Sequence, residues 1–392
     1  MQMQWGKLRL SFILVSLSFG VISFLLPIYS KTLGLSAIEI GEMFSILSLT
    51  VLISKPIIGR CTDKIGWKWF LVIGMSVYAV AFYILAGAKS TWILYEARIL
   101  QGIGSAFLGI ATYSMSVSIA DEDKVGQQMG RVQSARSTGI MIGAVICFFI
   151  IGNIEFLIGW YKLFMIYALL AGVGALLIVL RVKEDTKAPS KDMYCRSRIK
   201  YSKDMVGLVI ITFLLSLSFS MLSPILMVYL QDYVTTDLMG LSVAFIPSCI
   251  IYSVLGGRLG QLGDQYGHVK IMVVGICISC MVTFLIPSTK SLVLLAVLWC
   301  LDAVGGILDG TSRSAFQSKI VESSIKGEVY GIYSVVGGVG AIIGPIIGGV
   351  LYDKVSITAP FYTNGIVLII ACFVAPLIFN GNKPKKVIHL LK

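Results

Sequence analysis

"IIGRCTDKIGWK" (residues 57–68) sets Arg60, Asp63, Lys64 and Lys68 directly after an apolar run, and "RLGQLGDQYGHVK" (residues 258–270) nearly repeats it. With Gly59, Asp63 and Gly66 aligned on Gly260, Asp264 and Gly267, each pair is 201 residues apart. The same offset aligns "GIMIGAVIC" (139–147) with "GAIIGPIIG" (340–348), and "SLSF" occurs at 16–19 and at 216–219, an offset of 200. A charged turn written twice, half a chain apart and in step with matches in other segments, marks an internal duplication in parallel orientation.

The text between these turns is apolar. Of 392 residues 57% are hydrophobic and 13% charged, and the mean hydropathy is +0.88. A soluble domain has no means of hiding so much apolar side chain, so lipid is the expected solvent for most of it. Hydropathy marks twelve spans, the first near 8–28, the second near 40–59 and the last near 360–379. The first follows Lys7 and Arg9 without a small-x-small cleavage site, and reads as an uncleaved anchor. An even number of spans puts both termini on one face. With loops assigned alternately, that face carries 24 Lys and Arg against 5 on the other, which predicts cytoplasmic termini. The net charge of +12 is thereby explained by topology and attraction to anionic lipid heads, not by nucleic acid. The polar stretch "RVKEDTKAPSKDMYCRSRIKYSKD" (181–204) reads as a linker. The predicted fold class is therefore an all-α membrane protein of two pseudo-symmetric six-helix bundles. Residues 1–181 form the first, 182–205 the cytoplasmic linker, and 206–392 the second with its tail.

Enzyme chemistry finds no footing. There are two histidines, His268 and His389, and no H-E-x-x-H, Walker A or D-D-x-x-D pattern. Cys277 and Cys280 form a C-x-x-C inside an apolar run, without a second pair, and read as packing residues. No metal, cofactor or ATP site is expected.

The motifs resemble the major facilitator superfamily over the whole chain. Gly59, Asp63, Lys64, Gly66 and Lys68 match its G-x-x-x-D-(R/K)-x-G-x-(R/K) signature, and the mirror loop keeps Gly260, Asp264 and Gly267 with Gln265 where a base is usual. Arg98, Gln101, Gly102 and Gly104 match R-x-x-Q-G-x-G in span four. Gly340, Gly344, Pro345, Gly348 and Gly349 give the full G-x-x-x-G-P-x-x-G-G form in span eleven. The family's drug/proton antiporters carry that Gly-Pro motif in span five, where this chain keeps Gly139 and Gly143 but has Ala144 and Cys147. The resemblance therefore speaks less for export than for the fold.

The resemblance implies a monomeric secondary transporter with a small-molecule substrate. In the leading reading it exports a small organic solute in exchange for protons. Alternatives are a proton-coupled uptake symporter and a carrier-like sensor. The doubled charged turn is expected to latch the halves together on the cytoplasmic side, against the plainer reading of Lys64 and Lys68 as topology signals. The strip Gly340, Gly344, Gly348 lies on one helix face, either as a moving hinge beside Pro345 or as tight packing. Charged groups inside spans are costly and so point to function. Arg98 and Asp302 lie well inside spans four and ten, and Asp302 aligns with Gln101 at offset 201, on opposite walls of an expected central cavity. The resemblance gives Arg98 proton coupling or cavity electrostatics. Asp302 and Asp309, two turns apart, are candidate proton carriers, while a structural ion pair of Arg98 with Glu96 or Asp302 is the competing reading. Arg136 is a candidate anion contact, Lys55 a snorkelling residue, and Tyr29, Tyr113, Tyr229 and Trp299 either line the cavity or anchor span ends. Span one has no acid between Leu10 and Ile28, so a neutral or anionic substrate is as open as a cation.

Overall fold

The computed structural model describes residues 2–119, 125–182, 203–320 and 326–379, and among these no strand occurs. Twelve long helices carry the fold. The first six are α1 (Gln2–Thr32), α2 (Ala37–Ile65), α3 (Trp67–Ala86), α4 (Thr91–Ile119), α5 (Val125–Asn153) and α6 (Phe156–Arg181). The second six are α7 (Lys203–Tyr229), α8 (Leu238–Gly260), α9 (His268–Leu285), α10 (Leu292–Ile320), α11 (Lys326–Lys354) and α12 (Ala359–Phe379). Among the described residues eleven are long and apolar enough to cross a membrane by length and composition; α4, which carries Glu96, Arg98 and Gln101, is the exception and packs on α2 and α3.

The 201-residue offset holds for the structure as it does for the motifs. Adding it to the start of α4 and the end of α5 gives the start of α10 and the end of α11 to the residue. Packing repeats as well: α3 lies on α4 and α6 as α9 lies on α10 and α12, and α1 lies on α5 and α6 as α7 lies on α11 and α12. Small residues make these pairs possible, because in lipid helix association rests on close van der Waals contact. At Gly74 an added Cβ would meet Leu108 of α4, and at the equivalent Gly275 it would meet the backbone of Gly305 and Asp309 of α10. Each half thus repeats one close crossing.

One expectation needs correcting. The signature at 59–68 does not form a turn from Gly59 onward: α2 runs on to Ile65, and the chain reverses only at Gly66, whose φ of 88° favours glycine. A helix need not end where its apolar run ends, since backbone hydrogen bonds continue into water. In the second half α8 stops at Gly260, a short helix spans Leu262–Tyr266, and Gly267 reverses at φ 97°. The expected linker falls in residues outside those described, apart from its edges.

The face holding both ends of the chain is here the terminal face, and the opposite one the far face. At the far face Tyr29 stacks on Trp160 at 3.9 Å between centroids and donates its hydroxyl to Ala88 O, while Trp160 Nε1 donates to Leu85 O at 2.8 Å. These contacts tie α1, α3 and α6 together. Between the halves the broadest contact is α2 with α11. Near the far face Asp353 accepts from the backbone of Ala37 and Ile38, Lys31 pairs with Asp232, and Ser45 Oγ donates to Ile342 O at 2.6 Å. Nearer the terminal face Lys55 Nζ donates to Ser334 Oγ at 2.9 Å.

Candidate functional site

Between the halves lies a cavity of about 280 Å³, walled by α1 to α4 on one side and by α7 and α11 on the other. Its lining is mostly apolar and aromatic, with Phe19, Phe44 and Phe219, interrupted by Ser23, Ser48, Ser220 and Ser223. Three larger polar side chains reach it: Tyr78, Arg98 and Gln101.

Arg98 is only 4% exposed. The i, i+3 spacing of Arg98 and Gln101 puts both on one face of α4, and Arg98 Nη1 donates to Gln101 Oε1 at 2.9 Å. Its Nε donates to Met43 O at 3.4 Å, and the guanidinium sits 4.4 Å from the centroid of the Phe44 ring. Neither ion pair of the competing reading forms: Glu96 lies on the exposed face of α4, and Asp302 accepts instead from Ser279 Oγ of α9 at 2.7 Å. Arg136 of α5 lies over Phe19, 5.3 Å from its centroid. Among the described residues no carboxylate pairs with either arginine.

Asp302 is not among the cavity-lining residues. It and Ser279 are, at offset 201, the counterparts of Gln101 and Tyr78, which do line it. Asp302 has exposed surface, whereas Asp309 is drawn to Arg313 at 3.5 Å, with one carboxylate oxygen buried and unpartnered.

Of the signature residues, the side chains of Asp63 and Lys64 lie outside the described ones. Lys68 donates to Val179 O of α6 at 3.3 Å, and Asp264 stands 3.5 Å from His268, so both have partners in their own halves. In α11 a Cβ at Gly340, Gly344 or Gly348 would strike α7, while Gly349 faces the backbone of Ala37 and Ile38 in α2. Pro345, whose ring leaves the carbonyl of Ala341 without its helical donor, lines the cavity together with Ala341. Gly139 and Gly143 of α5 likewise face the backbone of Ile13 and Leu17 in α1. Tyr29, Tyr229 and Trp299 are buried in packing and Tyr113 is exposed, and none of the four lines the cavity. Lys55 does not simply snorkel; it bridges the halves at Ser334.

Sequence alone does not single out Phe44, Tyr78 or the serines. Phe19 and Phe219 are within its reach, because they close the two copies of "SLSF" and both line the cavity.

Two like-oriented helical bundles with a mostly apolar cavity at their interface, into which Tyr78, Arg98 and Gln101 reach, define a membrane transport protein. The chain belongs to the Major Facilitator Superfamily, whose family model matches residues 8–194 and again 208–390. It is 24% identical over 368 residues to the multi-drug resistance efflux pump PmrA homolog of Lactococcus lactis subsp. lactis (strain IL1403), covering 91% of this chain and 90% of that one. It is 25% identical over 362 residues to multidrug resistance protein 1 of Bacillus subtilis (strain 168), covering 90% of each. Among solved structures it resembles a bacterial homolog to the human lysosomal transporter Spinster, in an inward-facing and occupied conformation. That likeness has a TM-score of 0.80 at 13% identity, over 95% of this chain and 96% of the other.

Proposed function

We propose that the protein is a proton-coupled exporter of a small organic solute, working as a monomer in the cell membrane by alternating access, with both termini in the cytoplasm. The observation that carries this reading is the interfacial cavity with Arg98 at its wall, closed toward the far face by contacts between the halves. With cytoplasmic termini that closure corresponds to an inward-facing state, in which solute enters from the cytoplasm. The efflux pumps among its relatives support the direction.

In this mechanism the halves rock about the cavity. The contacts of Asp353, Lys31 and Ser45 break as the far face opens, and the segments Gly59–Lys68 and Gly260–Gly267 latch the terminal face in turn. Pro345 and the α11 glycines allow α11 to bend and slide against α7. Asp302, held by the Ser279 hydroxyl, takes up a proton from one side and releases it to the other, with Asp309 as its second station. Arg98 sets the charge of the cavity. Proton binding matters to transport only through the difference in Asp302's surroundings between the two states.

The test is transport by the full chain in proteoliposomes under an imposed pH gradient. Solute should move against the proton flux, and Asp302→Asn should abolish gradient-driven movement while solute exchange at equal pH persists. Solute entering together with protons would reject export.

A further inference from the structure

We infer that the cavity between the halves recognises an anionic aromatic solute, with the Arg98 guanidinium as its counter-charge and Arg136 as a second cation behind the aromatic wall. This rests on the transport reading of the same cavity and adds the chemical class of its cargo.

An ionised guanidinium among apolar helices is costly unless something compensates it. Around Arg98 the compensation is all neutral: the amide oxygen of Gln101, the carbonyl of Met43 and the face of Phe44. Such dipoles hold the group in place and leave its charge uncancelled. Arg136 adds a second guanidinium against Phe19, on which Tyr78 packs at 5.1 Å between centroids. Of the two acids inside α10, Asp309 is paired with Arg313, and Asp302, held by the neutral Ser279 hydroxyl of α9, is not among the lining residues. No Asp, Glu or Lys is among the lining residues.

The cavity is therefore electropositive in a medium where charges interact far more strongly than in water. A cation entering it meets repulsion, while a carboxylate or sulfonate meets the planar fork that guanidinium offers such groups. The rings of Phe19 and Phe44 supply faces for an aromatic body. A volume of about 280 Å³ falls just below the usual range for ligand pockets, about 300–1,000 Å³, and suits a molecule of no more than about two rings.

The experiment compares two permanently charged probes with one ring system, naphthalene-2-sulfonate and trimethyl(2-naphthyl)ammonium, both radiolabelled, binding to the full chain in nanodiscs. The sulfonate should bind saturably and about tenfold or more tighter than the ammonium; Arg98→Gln should weaken it about tenfold and Arg136→Gln about threefold. Arg98→Lys, which keeps the charge and loses the fork, should bind the sulfonate less tightly and still prefer it. Equal or tighter binding of the ammonium, no saturable binding of either probe, or wild-type sulfonate affinity in the arginine variants would overturn the inference. If Arg98→Gln fails to elute as a folded species, the probe preference of the wild type and of Arg136→Gln decides the matter. Counterflow in proteoliposomes separates this claim from the one beneath it: sulfonate binding without counterflow counts against transport alone, and counterflow of the ammonium alone counts against the anion site alone.

Discussion

The carboxylate of Asp353, at the end of α11, accepts the backbone N–H of Ile38, at the start of α2, at 2.9 Å, and its other oxygen accepts that of Ala37 at 3.3 Å. The first turn of a helix leaves its amides without intrahelical acceptors. Here the nearby donors are shared out: Ser36 N–H goes to Glu39 Oε2 at 2.8 Å and Glu39 N–H to Ser36 Oγ at 3.3 Å, a capping box, while the two between go to the other half of the protein. Closing the far face is thus also the capping of a helix, and a carboxylate is favoured at that positive end.

Asp353→Ala should release the far face. A lost cap costs about 0.5–2 kcal/mol, which is about a two- to thirtyfold shift toward the far-face-open state. The readout is the rate at which an impermeant thiol reagent, added to the far face, labels Ser48→Cys in the cavity, with the 8 native cysteines replaced. Unchanged labelling in Asp353→Ala would show that the cap does not hold the closure.

The Lys31–Asp232 pair spans the same boundary, and Tyr352 also donates to Asp232 at 2.8 Å. Both charged side chains are about a third exposed, 33% and 37%. Such pairs are worth about 0.2–1 kcal/mol and are screened by salt. Lys31→Glu should therefore raise far-face labelling modestly at low salt, and Lys31→Glu/Asp232→Lys should restore it. Failure of the double reversal to restore closure would assign the effect to something other than the pair.

Glycine contacts give a sharper contrast. At Gly143 an added Cβ would run into the carbonyl of Leu17, whereas at Gly172 of α6 it would meet nothing within 4 Å. Gly143→Ala should lower the melting temperature of the purified protein by several degrees, as overpacking costs about 1–3 kcal/mol. Gly172→Ala should leave it unchanged or raise it, since Ala is a better helix former by about 1 kcal/mol. Equal melting temperatures would mean that α5 can move away from α1 at no cost.

The duplication makes much of this fold legible in the sequence. Because one half repeats the other at 201 residues, a motif in α2, α4 or α5 predicts its partner in α8, α10 or α11, and the helix bounds follow the same arithmetic. Less can be read where lipid and protein interior look alike to a side chain. Hydropathy ends the second span near Gly59, since Arg60 leaves the oil, yet α2 continues to Ile65 in water. Phe19 and Phe44 face the cavity and Phe149, 73% exposed, faces outward, but all three are simply apolar residues in apolar helices. Arg98 announces itself by its charge. The pairing does not: Gln101 stands out in the same motif, but a charge inside a span directs attention to carboxylates, whereas the group that receives its hydrogen bond is this neutral amide on the same helix face.

That pairing can be tested by the asymmetry between removing one partner and removing both. Gln101→Leu keeps the bulk of the side chain and strips Arg98 Nη1 of its acceptor in a site where Arg98 is 4% exposed. A buried donor left unsatisfied costs about 1–3 kcal/mol, more when it is charged, whereas replacing both partners by apolar groups of similar shape is close to neutral. Gln101→Leu alone should therefore melt at a clearly lower temperature than Arg98→Met/Gln101→Leu. The reverse order, with the double variant less stable, would mean that Arg98 draws its support from Met43 O and the Phe44 ring and that Gln101 contributes little. The two variants also separate stability from transport, because the double variant should fold and yet lose the charge at the cavity wall.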